Sequence, residues 1–122
     1  MISASGVTSV LVVDIDTESM EQIILGGAWT QFGSVALIPW REHGDVVMQI
    51  CQLAPRVLIL GNGLGSRPFI GQQVLDQLAE RGFDGRILVC AEDRFMVAPT
   101  ATIQRVRRQV RALTAALEGS LR

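Results

Sequence analysis

Two carboxylates follow the first apolar run of the chain, where acidic side chains can bind a cation or begin a helix. The run Val7–Val13 is rich in β-branched residues, and Asp14 and Asp16 come after it. Paired strand-end carboxylates can hold a divalent cation. The same side chains can instead accept hydrogen bonds from the free N–H groups of the next helix. The pattern favours the second role, with solvated carboxylates that end the strand and cap the helix.

A glycine-rich loop follows a later apolar run and precedes a helical pattern. In this context backbone N–H groups can bind a phosphate at the start of the helix. Ser66 stands where a complete dinucleotide motif has its third glycine, and no lysine follows to make the loop of an NTPase. Glycines also serve in plain strand-to-helix turns. The loop is a candidate anion site, and its binding residues would be Gly61, Asn62, Gly63, Gly65 and Ser66.

The histidine and the cysteines do not form a catalytic pattern. His43 is the single histidine, and no nucleophile or second ligand accompanies it, which favours an exposed turn. Cys51 and Cys90 lie inside apolar runs, which favours reduced core thiols over a disulfide, a metal site or a reactive thiol. We therefore expect a protein that is not an enzyme and that holds no metal and no cofactor.

Four short apolar runs predict buried strands, and helical periodicity fills the segments between them. Continuous apolar runs are typical of strands covered on both faces, as in a parallel sheet. The alternation predicts an α/β fold of the flavodoxin-like type, a doubly wound parallel sheet of four or five strands in one domain, residues 1–122. Strands are expected at Val7–Val13, Ser34–Ile38, Arg56–Leu60 and Arg86–Cys90, and helices at Thr17 to about Leu25, Asp45 to Ala54, and about Phe69 to Glu80.

The last part of the chain departs from this alternation. A helical pattern runs from about Pro99 to Leu121, and Phe95–Ala98 is a candidate fifth strand. Apolar residues in the helix repeat at heptad spacing for two heptads. Such a seam fits a dimer interface between two copies, or a helix packed on its own sheet. The seam consists of Ile103, Val106, Val110, Leu113 and Leu117.

Composition limits the classes of partner. Of the 122 residues 48% are hydrophobic, and 11 basic against 12 acidic side chains leave a net charge of -1. That balance provides no electrostatic attraction to nucleic acid and no polybasic membrane anchor. The sequence shows no basic leader segment and no apolar run approaching ~18 residues, so we expect a cytoplasmic protein without a membrane span. It contains no lysine, which excludes every mechanism that requires one.

Three segments resemble the receiver domain of two-component response regulators. They are Leu11–Asp16 (LVVDID), Pro55–Ser66 (PRVLILGNGLGS) and Val74–Asp93 (VLDQLAERGFDGRILVCAED). These segments are similar to the strand-end acidic pair of receivers, to the central strand with its phosphoacceptor loop, and to the helix and strand that lead to a Thr or Ser. The resemblance implies a flavodoxin-like fold and a place in two-component signalling or a phosphorelay.

The resemblance also shows which receiver groups this chain lacks. Receiver phosphorylation uses two carboxylates for magnesium, an acceptor Asp, a Thr or Ser, and a Lys. Asp14 matches the first acidic position, but Ile15 stands at the second. Gly61 stands at the phosphoacceptor position and Cys90 at that of the Thr or Ser, and the lysine is missing. The resemblance therefore implies a degenerate, or pseudo-, receiver.

Two functions follow from these observations. The first is a non-phosphorylatable, receiver-like signalling module that acts by protein–protein contact, as a homodimer and with another signalling protein. The second is a small α/β protein that binds a nucleotide or another anion at the carboxyl edge of the sheet, in the loop Gly61–Ser66.

Overall fold

The structure, a computed structural model, describes residues 8–14, 16–40, 45–61, 68–90, 103–107 and 109–121. Strands and helices alternate through these ranges. The strands are β1 (Val10–Asp14), β2 (Val35–Pro39), β3 (Val57–Leu60), β4 (Arg86–Val89) and β5 (Ile103–Arg105). The helices are α1 (Thr17–Gly26), α2 (Val46–Leu53), α3 (Pro68–Glu80) and α4 (Val110–Leu121), and a short 3-10 helix, Trp29–Phe32, follows α1.

The strands form one parallel sheet in the order β2-β1-β3-β4-β5. This arrangement confirms the flavodoxin-like α/β fold predicted from the sequence, with five strands. Because β1 pairs with both β2 and β3, the direction of winding reverses between β1 and β3. Ligands of such sheets bind beyond the carboxyl ends of the strands at that reversal.

The sheet is covered on both faces, which explains the continuous apolar runs. Leu11 and Leu58 face α2 and α3 in one core. Val12 and Ile59 face α1, Trp29 and α4 in the other. All four strand side chains are fully buried. Strands that are buried on both faces need apolar side chains at successive positions, whereas a half-exposed strand alternates.

Aspartate side chains begin the first two helices. The Ser19 N–H donates to Asp16 Oδ1 at 3.0 Å, and the Met48 N–H donates to Asp45 Oδ1 at 3.1 Å. Each bond satisfies one of the N–H groups that the first turn of a helix leaves without a partner. The predicted capping role of Asp16 is therefore confirmed.

The C-terminal helix is shorter than the predicted span from Pro99 to Leu121. Residues Ile103–Arg105 form β5 beside β4, and α4 begins only at Val110. The Val106 N–H donates to the Val89 carbonyl at 2.9 Å, so pairing at the edge of β4 outweighs the local helical pattern. The candidate strand Phe95–Ala98 lies outside the described residues. No helix in the described ranges is long and apolar enough to cross a membrane.

Candidate functional site

Three of the positions singled out in the sequence meet at the carboxyl edge of the sheet. The register of β1 with β3 and of β3 with β4 carries Asp14, Gly61 and Cys90 into one row. The Gly61 N–H donates to the Val13 carbonyl at 2.7 Å, and the Cys90 N–H donates to the Leu60 carbonyl at 2.9 Å. The row crosses the point between β1 and β3 where the winding of the sheet reverses.

Asp14 is fully buried, although the sequence predicted a solvated carboxylate. Its Oδ1 accepts a hydrogen bond from the Asp16 N–H at 2.7 Å. That bond turns the chain from the end of β1 towards α1. A buried carboxylate is tolerated where hydrogen bonds replace its water. Asp14 therefore acts inside the structure, while the exposed Asp16 caps the helix.

Gly61 leaves the space that the Asp14 carboxylate occupies. A Cβ atom built on Gly61 would overlap Asp14 Oδ2, with the Asp14 Cγ and Cβ next nearest. Gly61 does not have a positive φ, so the requirement for glycine here is one of space and not of backbone conformation. The absence of a side chain at Gly61 thus makes room for the buried Asp14.

Cys90 lies at the other end of this row, beside Gly61, and is a core residue. Its side chain is 5% exposed and packs in the core beneath α1 and α4. Cys51 is half-buried at the core beneath α2 and α3, and neither cysteine forms a disulfide within the described residues. The predicted assignment of Cys90 as a buried core thiol is confirmed.

Several other candidate positions lie outside the described residues. They are Ile15, His43 and the loop residues Asn62, Gly63, Gly65 and Ser66. Within the part of the chain that the structure describes, His, Cys, Asp and Glu do not gather into a group of three that could hold a metal ion.

The apolar seam predicted for the C-terminal helix is divided between two elements. Ile103 lies on β5 and packs against the core of α2 and α3. Val106 and Val110 are partly buried at the edge of the opposite core. Leu113 and Leu117 are fully buried on α4, against the sheet of the same chain. The five residues therefore do not form one surface, and α4 uses its apolar stripe in its own core.

Replacing Val110 with Asp should lower the stability of the fold and leave its oligomeric state unchanged. Val110 packs on Gly26, where its Cγ2 lies 3.4 Å from the position of an added Cβ. A carboxylate there would lose apolar burial and be partly desolvated, which costs about 1–3 kcal/mol. Urea unfolding and light scattering on Val110→Asp measure the two quantities, with the exposed Arg111→Asp as the control. A switch from dimer to monomer with unchanged stability would contradict the packing of α4 on its own sheet.

The coupling between Asp14 and Gly61 is the feature that the sequence analysis missed. The sequence assigns Gly61 to a candidate anion loop and to a position without a nucleophile, and it assigns Asp14 to a solvated strand end, but it predicts no contact between the two residues. The available signal was their shared position, since each comes at the carboxyl end of a strand and those strands were predicted to lie in one parallel sheet. The register that sets the two side by side comes from the structure.

Comparison of the chain with protein-family models, with curated proteins and with solved structures found no match.

Proposed function

We propose that the chain is a receiver-like signalling module that acts through protein–protein contact and does not accept a phosphoryl group. The resemblance to receiver domains supports the class of module. The chemistry of Asp14, Gly61 and Cys90 at the carboxyl edge supports the absence of phosphoryl transfer. Phosphoryl transfer depends on a positioned acceptor and on cations that neutralise charge. Glycine at position 61 offers no acceptor oxygen, and the sequence contains no lysine.

The observation that carries this proposal is the overlap between Asp14 Oδ2 and any side chain at position 61. In a phosphorylatable site, the first acidic residue must reach a metal ion and the acceptor must reach solvent. Here Asp14 is fully buried and hydrogen-bonded to the Asp16 backbone. The Asp14 carboxylate stabilises the turn between β1 and α1. We therefore infer that this edge of the sheet contributes to the stability of the fold and not to phosphoryl transfer.

A module without this chemistry acts through its surfaces, with a second copy of itself and with another signalling protein as the proposed partners. A cytoplasmic location fits two cysteines that lie within or beside the apolar cores and form no disulfide within the described residues. The alternative, a nucleotide or other anion at the loop Gly61–Ser66, has less support. The Asp14 carboxylate lies against Gly61, at the start of that loop, where its charge would repel a phosphate.

Incubation with acetyl phosphate and magnesium should add no phosphoryl group to the protein, because position 61 has no carboxylate. Intact-mass measurement detects the adduct, and a receiver domain with its acceptor Asp serves as the positive control. A stable adduct of one phosphoryl group, mapped by peptide analysis to an aspartate of the carboxyl edge, would contradict the proposal.

A further inference from the structure

Strand β2 forms one edge of the sheet and is paired on one side only within the described residues. Its neighbour is β1, with Val10 beside Val35 and Asp14 beside Pro39. An edge strand presents N–H and C=O groups that can pair with another strand.

The hydrogen bonds to β1 identify the groups of β2 that point outward. The Ser34 carbonyl accepts from the Val10 N–H, and the Trp40 N–H donates to the Asp14 carbonyl, each at 3.0 Å. Because successive residues of a strand point their backbone groups to opposite sides, Ala36 and Ile38 also face β1. The N–H and C=O groups of Val35 and Leu37 therefore point away from the sheet. Pro39 comes next in that outward row and has no N–H.

Pro39 at the end of β2 limits pairing there, but within the described residues the strand has no charged side chain and no bulge. Charged side chains, inward-pointing charges and bulges block edge pairing in many proteins. The chain has no charged residue between Glu21 and Arg41, and β2 pairs with β1 in unbroken register. Four successive side chains of β2 are apolar and half-buried: Val35, Ala36, Leu37 and Ile38.

We propose that β2 pairs antiparallel with β2 of a second copy of this chain, about a two-fold axis at Ala36. In that register Val35 lies opposite the partner subunit's Leu37, and Leu37 lies opposite the partner subunit's Val35. Each such pair exchanges N–H and C=O bonds in both directions, so every outward group of the two residues is satisfied. A two-fold contact must be self-complementary, and an uncharged strand meets its own copy without repulsion between like charges.

The side chains of β2 are arranged to continue both cores across such a junction. Val35 and Leu37 border the core of α1 and α4, whereas Ala36, Ile38 and Trp40 border the core of α2 and α3. Pairing would cover the half-exposed part of each side chain with its counterpart. This inference rests on the proposed function in one respect, because it names the surface through which that module forms a homodimer.

A pair of proline substitutions tests the orientation of the edge. Val35→Pro removes an outward N–H and places ring atoms where the partner strand would approach, while the bonds to β1 remain. Proline is tolerated on an edge strand at such a position. We expect a folded protein whose dimer is weakened at least about tenfold, measured by sedimentation or light scattering across a concentration series. Ala36→Pro is the matched control, because it removes an N–H that faces β1 and should disrupt the fold.

Hydrogen exchange on the unaltered chain tests the same proposal without any variant. The amides of Val35 and Leu37 should exchange more slowly as the protein concentration rises, while those of Ala36 and Ile38 are protected at every concentration. A chain that stays monomeric at high micromolar concentration would overturn the proposal. So would a dimer in which Val35 and Leu37 exchange at the monomer rate, or a folded Val35→Pro that dimerises normally.

The two proposals can fail separately. Phosphoryl uptake would contradict the proposed function and leave the pairing of β2 standing. A chain that is monomeric and unphosphorylated would overturn the pairing of β2. The proposal of a module that contacts another signalling protein would still stand.

Discussion

Gly61→Asp, which introduces a carboxylate beside Asp14, is expected to destabilise the fold and to leave the chain unphosphorylated. The new Cβ would overlap Asp14 Oδ2, so Asp14 would have to move and release the Asp16 N–H. Overpacking of this kind costs about 1–3 kcal/mol, and losing a hydrogen bond to a charged group costs about 1.5–3 kcal/mol more. A second carboxylate beside the first adds repulsion between like charges. We expect a loss of about 4 kcal/mol in the free energy of unfolding, measured in urea.

A double-mutant cycle separates the steric effect from the charge. Gly61→Ala adds only the Cβ, and Asp14→Ala removes the carboxylate that this Cβ would meet. If the overlap is the cause, Gly61→Ala should be less destabilising in the Asp14→Ala background than in the natural chain, by about 1–3 kcal/mol. Additive effects of the two substitutions would contradict the proposed coupling. A Gly61→Asp variant that is as stable as the natural chain and accepts a phosphoryl group would show that Asp14 does not block a side chain at position 61.

The sequence contained enough information for the central strands and for the starts of α1 and α2. The runs that form β1, β3 and β4 are continuous and apolar because both faces of each strand are buried. Burial on both faces can therefore be predicted from the residue types of each run alone. Asp16 and Asp45 precede α1 and α2, and capping is a local interaction within a few residues. These features need no knowledge of distant parts of the chain.

The parts that sequence reasoning missed depend on contacts between distant segments. Ile103 and Val106 have a spacing that fits a helix, but their backbone pairs with β4 at Ile87–Val89. The burial of Asp14 likewise depends on the absence of a side chain at Gly61, on another strand. Neither the pairing of β5 nor the burial of Asp14 can be predicted from the local sequence pattern. Hydrogen bonds across a sheet and the space beside a glycine depend on the register of the strands.

Gly27→Ala should be strongly destabilising, because Gly27 makes room for the contact that joins α4 to the 3-10 helix after α1. The Trp29 Nε1–H donates to Thr114 Oγ1 at 2.8 Å, and Trp29 is fully buried. A Cβ on Gly27 would overlap both of these atoms. We expect a loss of about 3 kcal/mol in the free energy of unfolding, from overpacking and from a buried indole N–H left without an acceptor. Gly119→Ala is the matched control, since Gly119 lies in α4 with open space around it.

The control should change stability in the opposite direction. Alanine is favoured over glycine inside a helix by about 1 kcal/mol, so Gly119→Ala should raise the free energy of unfolding slightly. At the other end of the bond, Thr114→Val keeps the shape of the side chain and removes the acceptor, which should cost about 1–3 kcal/mol, whereas Thr114→Ser retains the hydroxyl. Urea unfolding followed by tryptophan fluorescence measures all four variants. A Thr114→Val variant as stable as the natural chain would mean that packing around Trp29, and not the hydrogen bond, holds α4 in place.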